Sequence, residues 1–392
     1  MLAFNGDRLT IARQYRCLTI EELSKKTGIS TATIRKHESG KGLPTKENQK
    51  IYSQILNFPD SFWAAECVEP LDVNNVSFRS FKRVPAWVKG RAVAEAQIAV
   101  DIILKWLNKR FYLPDVSFCQ LPEKMSPDEA AKYLRTFWDI GCLPVEHLFH
   151  FLEGKGIRIF SFTQNIKSLD ACSFWTQDDQ PVILIDNTRS GERVRFSLMH
   201  EIGHLLMHKD NLVHNKEEEE EADAFASSFL MPQPVFSQNA PTPEKYDLLV
   251  AYKHYWGVSM SALIYRMHKL KLISDWNYRS KMVSLSKEVG RCGEPAPIQP
   301  ETPSLWLKVV EVLKKHGETS ISLALELGIP DDTLRGLCFG LPGETLLQIV
   351  RDSTEPVYAP YTNRNLPTEF RKQDWQKDDQ TDCRHVGISS GH

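Results

Sequence analysis

Two histidines and a glutamate near the middle of the chain have a spacing that suits metal-dependent chemistry. His200, Glu201 and His204 form a His-Glu-x-x-His pattern in an apolar run without proline, which predicts a helix. On a helix, residues four positions apart lie on one face, so both imidazoles can bind the same Zn²⁺ ion. Glu201 is rotated away from the metal, where its carboxylate can act as a general base on water.

A histidine pair of this kind also occurs by chance in buried helices, so the position of a third ligand matters. An acidic run from Glu217 to Glu221 comes next, followed by apolar residues that include Phe225 and Phe229. This pattern predicts a second helix with an acidic first turn, whereas a solvated charge run would not continue into an apolar stripe. One of the glutamates can complete a His, His, Glu site that leaves one metal position open for water.

These motifs resemble those of the ImmA/IrrE family of zinc metallopeptidases. The resemblance rests on His-Glu-Ile-Gly-His-Leu-Leu-Met-His at 200–208 and on Glu-x-Glu-Ala-Asp-x-Phe-Ala-x-x-Phe-Leu-Met-Pro at 219–232. It includes the lead-in Arg-Val-Arg-Phe-Ser at 193–197, and it extends from about Ser126 to about Ile273. It implies an α+β, zincin-like domain with zinc-dependent endopeptidase activity.

The resemblance also indicates which acidic residues lie at the metal. Related zinc peptidases use a Glu-x-x-x-Asp spacing, which assigns the third ligand to Glu219 and leaves Glu221 as the alternative. Asp223 would then form a hydrogen bond with a zinc-binding histidine. His208 shares a helix face with His200 but lies about 12 Å along the axis, too far to bind the same ion, which favours a structural role.

The first 66 residues contain a helix-turn-helix pattern. Residues 18–29 form an amphipathic segment that ends in a glycine turn, and Ser30 can cap a second helix over 31–38. Lys and Arg outnumber Asp and Glu in this segment, which suits contact with phosphate. The pattern predicts DNA binding through the second helix, and the alternative is a small helical bundle that docks a protein.

This segment resembles the Cro-like, XRE-type helix-turn-helix domains of phage repressors. The resemblance rests on Glu-Leu-Ser at 22–24, Thr-Gly-Ile-Ser at 27–30 and His-Glu-Ser-Gly-Lys at 37–41. It implies contacts to base edges from Thr31, Ala32 and Lys36, and contacts to phosphate from Arg35 and Lys41. Because a single head reads few bases, we also expect a homodimer on operator DNA with two half-sites.

The sequence as a whole predicts a multidomain, mainly α-helical protein. The predicted segments are an all-α helix-turn-helix head at 1–66, a helical connector at 67–125, the metallopeptidase domain at 126–275, a helical C-terminal region at 276–352 and a disordered tail at 353–392. A long helix from about Trp87 to Phe111 is expected in the connector. Residues 294–300 are rich in proline and are expected to form a linker.

Three short apolar runs before the metal-binding helix predict a small sheet. They cover residues 157–162, 171–175 and 182–185. Zinc peptidases commonly bind their substrate as an added strand, and 171–175 is the candidate edge. No oxyanion donor follows from the spacing, and the candidates are His208, His214 and Tyr255.

The composition is that of a globular protein. The 392 residues are 42% hydrophobic and 25% charged, with a net charge of −2. No apolar run approaches the roughly 18 residues of a membrane helix, and the N-terminus lacks the features of a signal peptide. The eight cysteines are scattered without a Cys-x-x-Cys pair, which favours reduced thiols and a cytoplasmic location.

Together, the two motifs favour a DNA-binding transcriptional regulator with a zinc-dependent endopeptidase domain. The family resemblance implies that it cleaves a repressor or another transcription factor in a stress or mobile-element response. The alternative is a DNA-binding regulator or antitoxin-like protein whose zinc site senses metal or peptide without proteolysis. The intact Glu201 favours the peptidase, since a site that only senses does not need a general base.

Overall fold

The computed structural model describes residues 4–64, 77–78, 85–122, 125–163, 169–209, 216–290 and 293–341. Helices dominate these residues and are accompanied by one small sheet, which confirms the predicted fold class. None of the helices in this described part is long and apolar enough to cross a membrane. The predicted tail at 353–392 lies outside the described residues.

The secondary structure follows the predicted order of a helical head, a sheet and further helices. The strands are β1 Ser77–Phe78, β2 Arg158–Ser161, β3 Ala171–Trp175 and β4 Pro181–Ile185. The helices are α1 Gly6–Tyr15, α2 Ile20–Thr27, α3 Thr31–Glu38, α4 Lys46–Leu56, α5 Asp60–Trp63, α6 Ala86–Ile98, α7 Lys105–Arg110, α8 Pro127–Phe137, α9 Leu148–Gly154, α10 Gly191–Met207, α11 Lys216–Leu230, α12 Gln233–Asn239, α13 Tyr246–Trp256, α14 Met260–Lys269, α15 Asp275–Val289, α16 Ser304–Lys315, α17 Ser320–Leu327 and α18 Asp331–Leu337. The expected long helix is present as α6 and α7, which are joined by π-helical residues Ala99–Leu104.

The chain divides into two compact units, and each unit is built from separated segments. The first combines Met1–Val116, Gly156–Asn187 and Thr302–Arg351, so it contains the head, the sheet and α16 to α18. The second combines Ser117–Lys155 with Thr188–Glu301 and contains α8 to α15. The predicted metal-binding residues on α10 and α11 therefore belong to the second unit.

Local sequence signals define the two helices of the head's motif. The Thr19 hydroxyl accepts a hydrogen bond from the Glu22 amide, and the Glu22 carboxylate accepts one from the Thr19 amide, which caps α2. Gly28 ends α2 with a φ of 73°, a left-handed conformation that glycine adopts without strain. Ser30 then caps α3, and Ile34 is buried in the core of the unit.

The sheet has the strand order β1-β3-β4-β2, in which β2 and β4 are parallel and the other pairs are antiparallel. The prediction that residues 171–175 form an edge is therefore wrong. Strand β1 pairs with β3 through Ser77 opposite Ser173 and Phe78 opposite Cys172. A strand of two residues leaves no periodic pattern, so the sequence could not reveal this pairing.

Helices α10 and α11 pack closely in the second unit. A Cβ atom on Gly203 would lie 3.1 Å from Cδ1 of Phe225 and 3.3 Å from Cα of Ala222, so glycine permits the approach of α11. The buried guanidinium of Arg135 on α8 donates a 2.6 Å hydrogen bond to the carbonyl of Phe229, near the end of α11. The Gly203 contact sets α11 close to the histidines of α10, and the Arg135 hydrogen bond ties the end of α11 to α8.

Residues 294–300, which the sequence predicts to be a linker, are anchored at their start to α13. Lys253 of α13 is fully buried, and its ammonium lies 2.6 Å from the carboxylate of Glu192 and 2.9 Å from that of Glu294. The same ammonium donates to the carbonyls of Pro295 and Ala296. Because Glu192 lies in the first turn of α10, this buried charge cluster ties the segment to the metal-binding helix.

The cysteines only partly match the expectation of reduced thiols. Cys17, Cys119 and Cys338 are free. Cys142 is disulfide-bonded, so the expectation is wrong at this position. The sequence could not indicate this, because pairing depends on the distance between thiols in the fold.

Replacing Lys253 with methionine should destabilise the second unit. The substitution leaves the buried carboxylate of Glu192 and the partly buried one of Glu294 without their cation, and burial already raises the pKa of Glu294. We expect a loss of about 3–5 kcal/mol in the free energy of unfolding, measured by urea denaturation of the full chain. Lys245→Met, at an exposed lysine, is the control. A loss below about 1 kcal/mol would show that the cluster contributes little to stability.

Candidate metal centre and DNA-binding helix

The predicted metal ligands meet in one buried group. Helix α10 places the Nε2 atoms of His200 and His204 3.0 Å apart. Helix α11 brings Glu219 to the pair, with carboxylate oxygens 3.6 Å from Nε2 of His200 and 3.4 Å from Nε2 of His204. Among the described residues, this is the one group of His, Cys, Asp and Glu side chains placed to share a metal ion.

These separations have the size expected around a zinc ion. Nitrogen and oxygen ligands bound tetrahedrally to Zn²⁺ lie about 3.3 Å from one another. The two separations that involve Glu219, 3.4 and 3.6 Å, are by contrast long for hydrogen bonds. Two imidazoles and one carboxylate are also a donor set of catalytic zinc sites. The three residues therefore fit a zinc ion.

Two further acidic residues lie around this group. Oδ1 of Asp223 is 2.8 Å from Nδ1 of His200, on the side of the ring opposite Nε2. Because a carboxylate accepts, Nδ1 of His200 carries the proton and Nε2 presents a lone pair toward the metal position. Glu201 is fully buried in the same turn of α10 as His200.

The head presents most of its predicted DNA contacts on a solvent-facing side of α3. Ala32, Arg35 and Lys36 are exposed, and Thr31 is partly buried at the start of the helix. Lys41 is exposed in the turn that follows. The guanidinium of Arg35 lies 3.2 Å from the carboxylate of Glu21, in an exposed ion pair that phosphate can displace.

The opposite side of α3 is held by polar contacts that are buried or partly buried. Arg13 of α1 donates two hydrogen bonds to Glu38, at 2.6 and 3.1 Å, which anchors the end of α3 to α1. Nδ1 of the buried His37 lies 2.9 Å from the hydroxyl of Tyr52 on α4. These contacts fix the rotation of α3 about its axis and so decide which residues face solvent.

Comparison with known families supports both parts of this description. Residues 152–268 match the family model described as the IrrE N-terminal-like domain, and residues 13–63 match a helix-turn-helix model. Both predicted domain types are present. They occur in the predicted order, with the helix-turn-helix domain first. No curated protein matches the chain at a significant level.

The IrrE-like match covers β2 to β4 and the helices that carry the candidate metal ligands. In this domain, burial alone would raise the pKa of Glu219, but the proximity of His200 and His204 outweighs burial. The pKa of Glu219 therefore lies well below its usual range. An ionised carboxylate at this position is what a metal ligand requires.

His208 does not lie where an oxyanion donor would have to lie, beside the metal position. Its Nδ1 lies 3.1 Å from Nδ1 of His204, behind the ring and away from Nε2. Tyr255, another candidate, packs against Tyr252 and Trp256, and burial followed by the charge of Glu146 raises its pKa to about 12. His214, the third candidate, lies outside the described residues.

Sequence reasoning missed what Glu221 contacts. Its Oε2 lies 2.9 Å from Nε2 of His208, so the residue weighed as an alternative metal ligand contacts a different histidine. Two residues along a helix correspond to about 200° of rotation, so Glu219 and Glu221 lie on nearly opposite sides of α11. The available signal was His208 itself, which follows His204 by four residues.

Metal analysis should distinguish the two candidate glutamates of the IrrE-like domain. We expect the purified protein to hold about one Zn²⁺ per chain. Glu219→Gln should weaken zinc binding more than about 100-fold, because it removes a ligand and not an outer partner. Glu221→Gln should retain the metal, since a glutamine oxygen can still accept from His208. Retention in Glu219→Gln with loss in Glu221→Gln would move the ligand to Glu221.

Proposed function

We propose that this protein is a DNA-binding regulator whose IrrE-like domain is a zinc-dependent endopeptidase. The observation that carries the proposal is the convergence of His200, His204 and Glu219, with Glu201 buried in the same helical turn. The proposed substrate is a repressor or another transcription factor. This substrate class comes from the family resemblance together with the helix-turn-helix domain of the same chain.

The chain's own residues supply binding and proton transfer in this proposal. His200, His204 and Glu219 would hold Zn²⁺, which supplies Lewis-acid polarisation of the scissile carbonyl. Glu201 would accept a proton from the attacking water on its carboxylate and return it to the leaving amine nitrogen. Asp223 holds the His200 ring through Nδ1, so that the lone pair of Nε2 stays directed at the metal position.

The head would direct this activity to operator DNA. In the proposal, Lys36, Thr31 and Ala32 meet base edges, and Arg35 and Lys41 contact phosphate. The exposure of Lys36, Arg35 and Lys41 supports these roles. We further propose a homodimer, because two heads on half-sites about one helical turn apart give useful affinity from short contacts.

Glu201→Gln should retain zinc and the fold but abolish cleavage. Removal of a general base costs on the order of 10²–10⁴ in rate. The test is co-expression of the parent or the variant with candidate repressors, followed by detection of a cleavage product and metal analysis. Glu220→Gln, at an exposed glutamate, is the matched control.

Cleavage by Glu201→Gln at the parental rate would exclude Glu201 as the base. A parent that retains zinc but cleaves none of the candidates would favour the sensor function, in which the metal site acts without proteolysis. The two results can be distinguished, because the first tests the role of Glu201 and the second tests whether the protein has peptidase activity.

Two lysines of the head should affect DNA binding in different ways. Lys36→Ala should weaken binding to the best operator by about 1–3 kcal/mol and relax the sequence preference, because it removes a base contact. Lys41→Ala should weaken all sequences alike and reduce the salt dependence by about one unit of slope, because it removes a phosphate contact. Fluorescence anisotropy with specific and scrambled duplexes at several salt concentrations measures both effects.

Equal losses on both duplexes for Lys36→Ala would mean that this residue does not read bases. If the parent bound no duplex, the head would instead be a bundle that docks a protein.

A further inference from the structure

We propose that His208 and Glu221 form a positioning pair that orients His204 as a metal ligand. The inference rests on the proposed metal function and adds two residues to it. It follows from a continuous series of contacts from Nε2 of His204, through both rings, to the carboxylate of Glu221. Neither residue would bind the metal, and both would act through His204.

The direction of each hydrogen bond follows from the chemistry of the groups. For Nε2 of His204 to bind a cation, it must present a lone pair, so the proton of the neutral ring lies on Nδ1. That proton is donated to Nδ1 of His208, 3.1 Å away, which must then be an acceptor. The proton of His208 therefore lies on Nε2 and is donated to Glu221, 2.9 Å away.

The path of the chain places His208 where this series requires it. His208 directly follows the last residue of α10, and its φ of −124° departs from helical geometry. Its amide still donates to the carbonyl of His204 at 3.0 Å, which keeps the two residues adjacent. Both side chains are almost fully buried, while that of Glu221 is 39% exposed. The series thus runs from the buried metal group to an accessible carboxylate.

The pair would support metal binding in two ways. A buried N–H group of His204 without an acceptor would cost free energy and would leave the ring free to rotate. The negative charge of Glu221 polarises His208, which makes Nδ1 of His208 a better acceptor and His204 a better electron donor. Three residues of α11 would then support metal binding. Glu219 would be a ligand, Asp223 would act through His200, and Glu221 would act through His208.

Competition with a chromophoric zinc chelator, on the full chain, measures the contribution of each residue. His208→Phe should weaken zinc affinity about 10- to 100-fold, the range for outer partners of metal ligands. His208→Asn, whose carbonyl can accept from Nδ1 of His204, should lose less. Glu221→Ala should weaken affinity by about 10-fold. The control is Glu220→Ala in the same acidic run, where the side chain is exposed and pairs with Lys216.

A double variant separates a connected series from simple packing. If Glu221 acts through His208, then Glu221→Ala should have no further effect in the His208→Phe background. Additive losses would overturn the proposal. Unchanged affinity in Glu221→Ala would overturn it even if His208→Phe failed to fold. Long-range ¹H–¹⁵N spectra of the zinc-bound parent should show the proton on Nδ1 of His204 and on Nε2 of His208. A proton on Nδ1 of His208 would also overturn it.

These outcomes differ from failure of the proposed function. A parent that binds no zinc overturns the metal site and the pair together. If the parent binds zinc and the His208 and Glu221 variants bind it with the same affinity as the parent, only the positioning pair is overturned. Loss of cleavage in Glu201→Gln is independent of both, because that variant retains the ligands.

Discussion

Two imidazole lone pairs and a carboxylate that lie within about 3.5 Å of one another in a protein interior repel unless a cation lies between them. The packing around α10 and α11 brings these groups together. Gly203 permits the approach of the second helix, and Arg135 holds the far end of that helix. The packing of α10 against α11 supplies the free energy that keeps the three donors in place without the metal.

The part of the site that lies on one helix could be predicted, because the spacing of His200 and His204 fixes their relation wherever the helix lies. Glu219 came from a family resemblance, since nothing in the spacing relates residues on different helices. The contact of Glu221 with His208 depends on how α10 ends, and no periodic pattern contains that information. The same reason explains β1, whose pairing with β3 made the predicted edge strand an internal one.

The buried cluster around Lys253 shows why a proline-rich segment can be misread. Its composition is that of a linker, but Glu294 and two carbonyl groups meet an ammonium that is completely removed from solvent. Lys253 and Glu192 are far from this segment in sequence, so neither could indicate that it was anchored. Proline here limits the conformations of the unfolded segment and lowers the entropy lost when it is fixed.

The division of the chain into interleaved units has a consequence for synthesis on the ribosome. The core that contains Leu23 and Ile34 of the head also contains Trp306 and Leu334, which are translated long afterwards. This core cannot be complete until the C-terminal helices have emerged, and its high contact order implies slow folding. A truncated transcript or a protease cut after α15 would therefore leave a DNA-binding head without part of its own core. Integrity of the distant C-terminal helices would thus be a condition for a stable head.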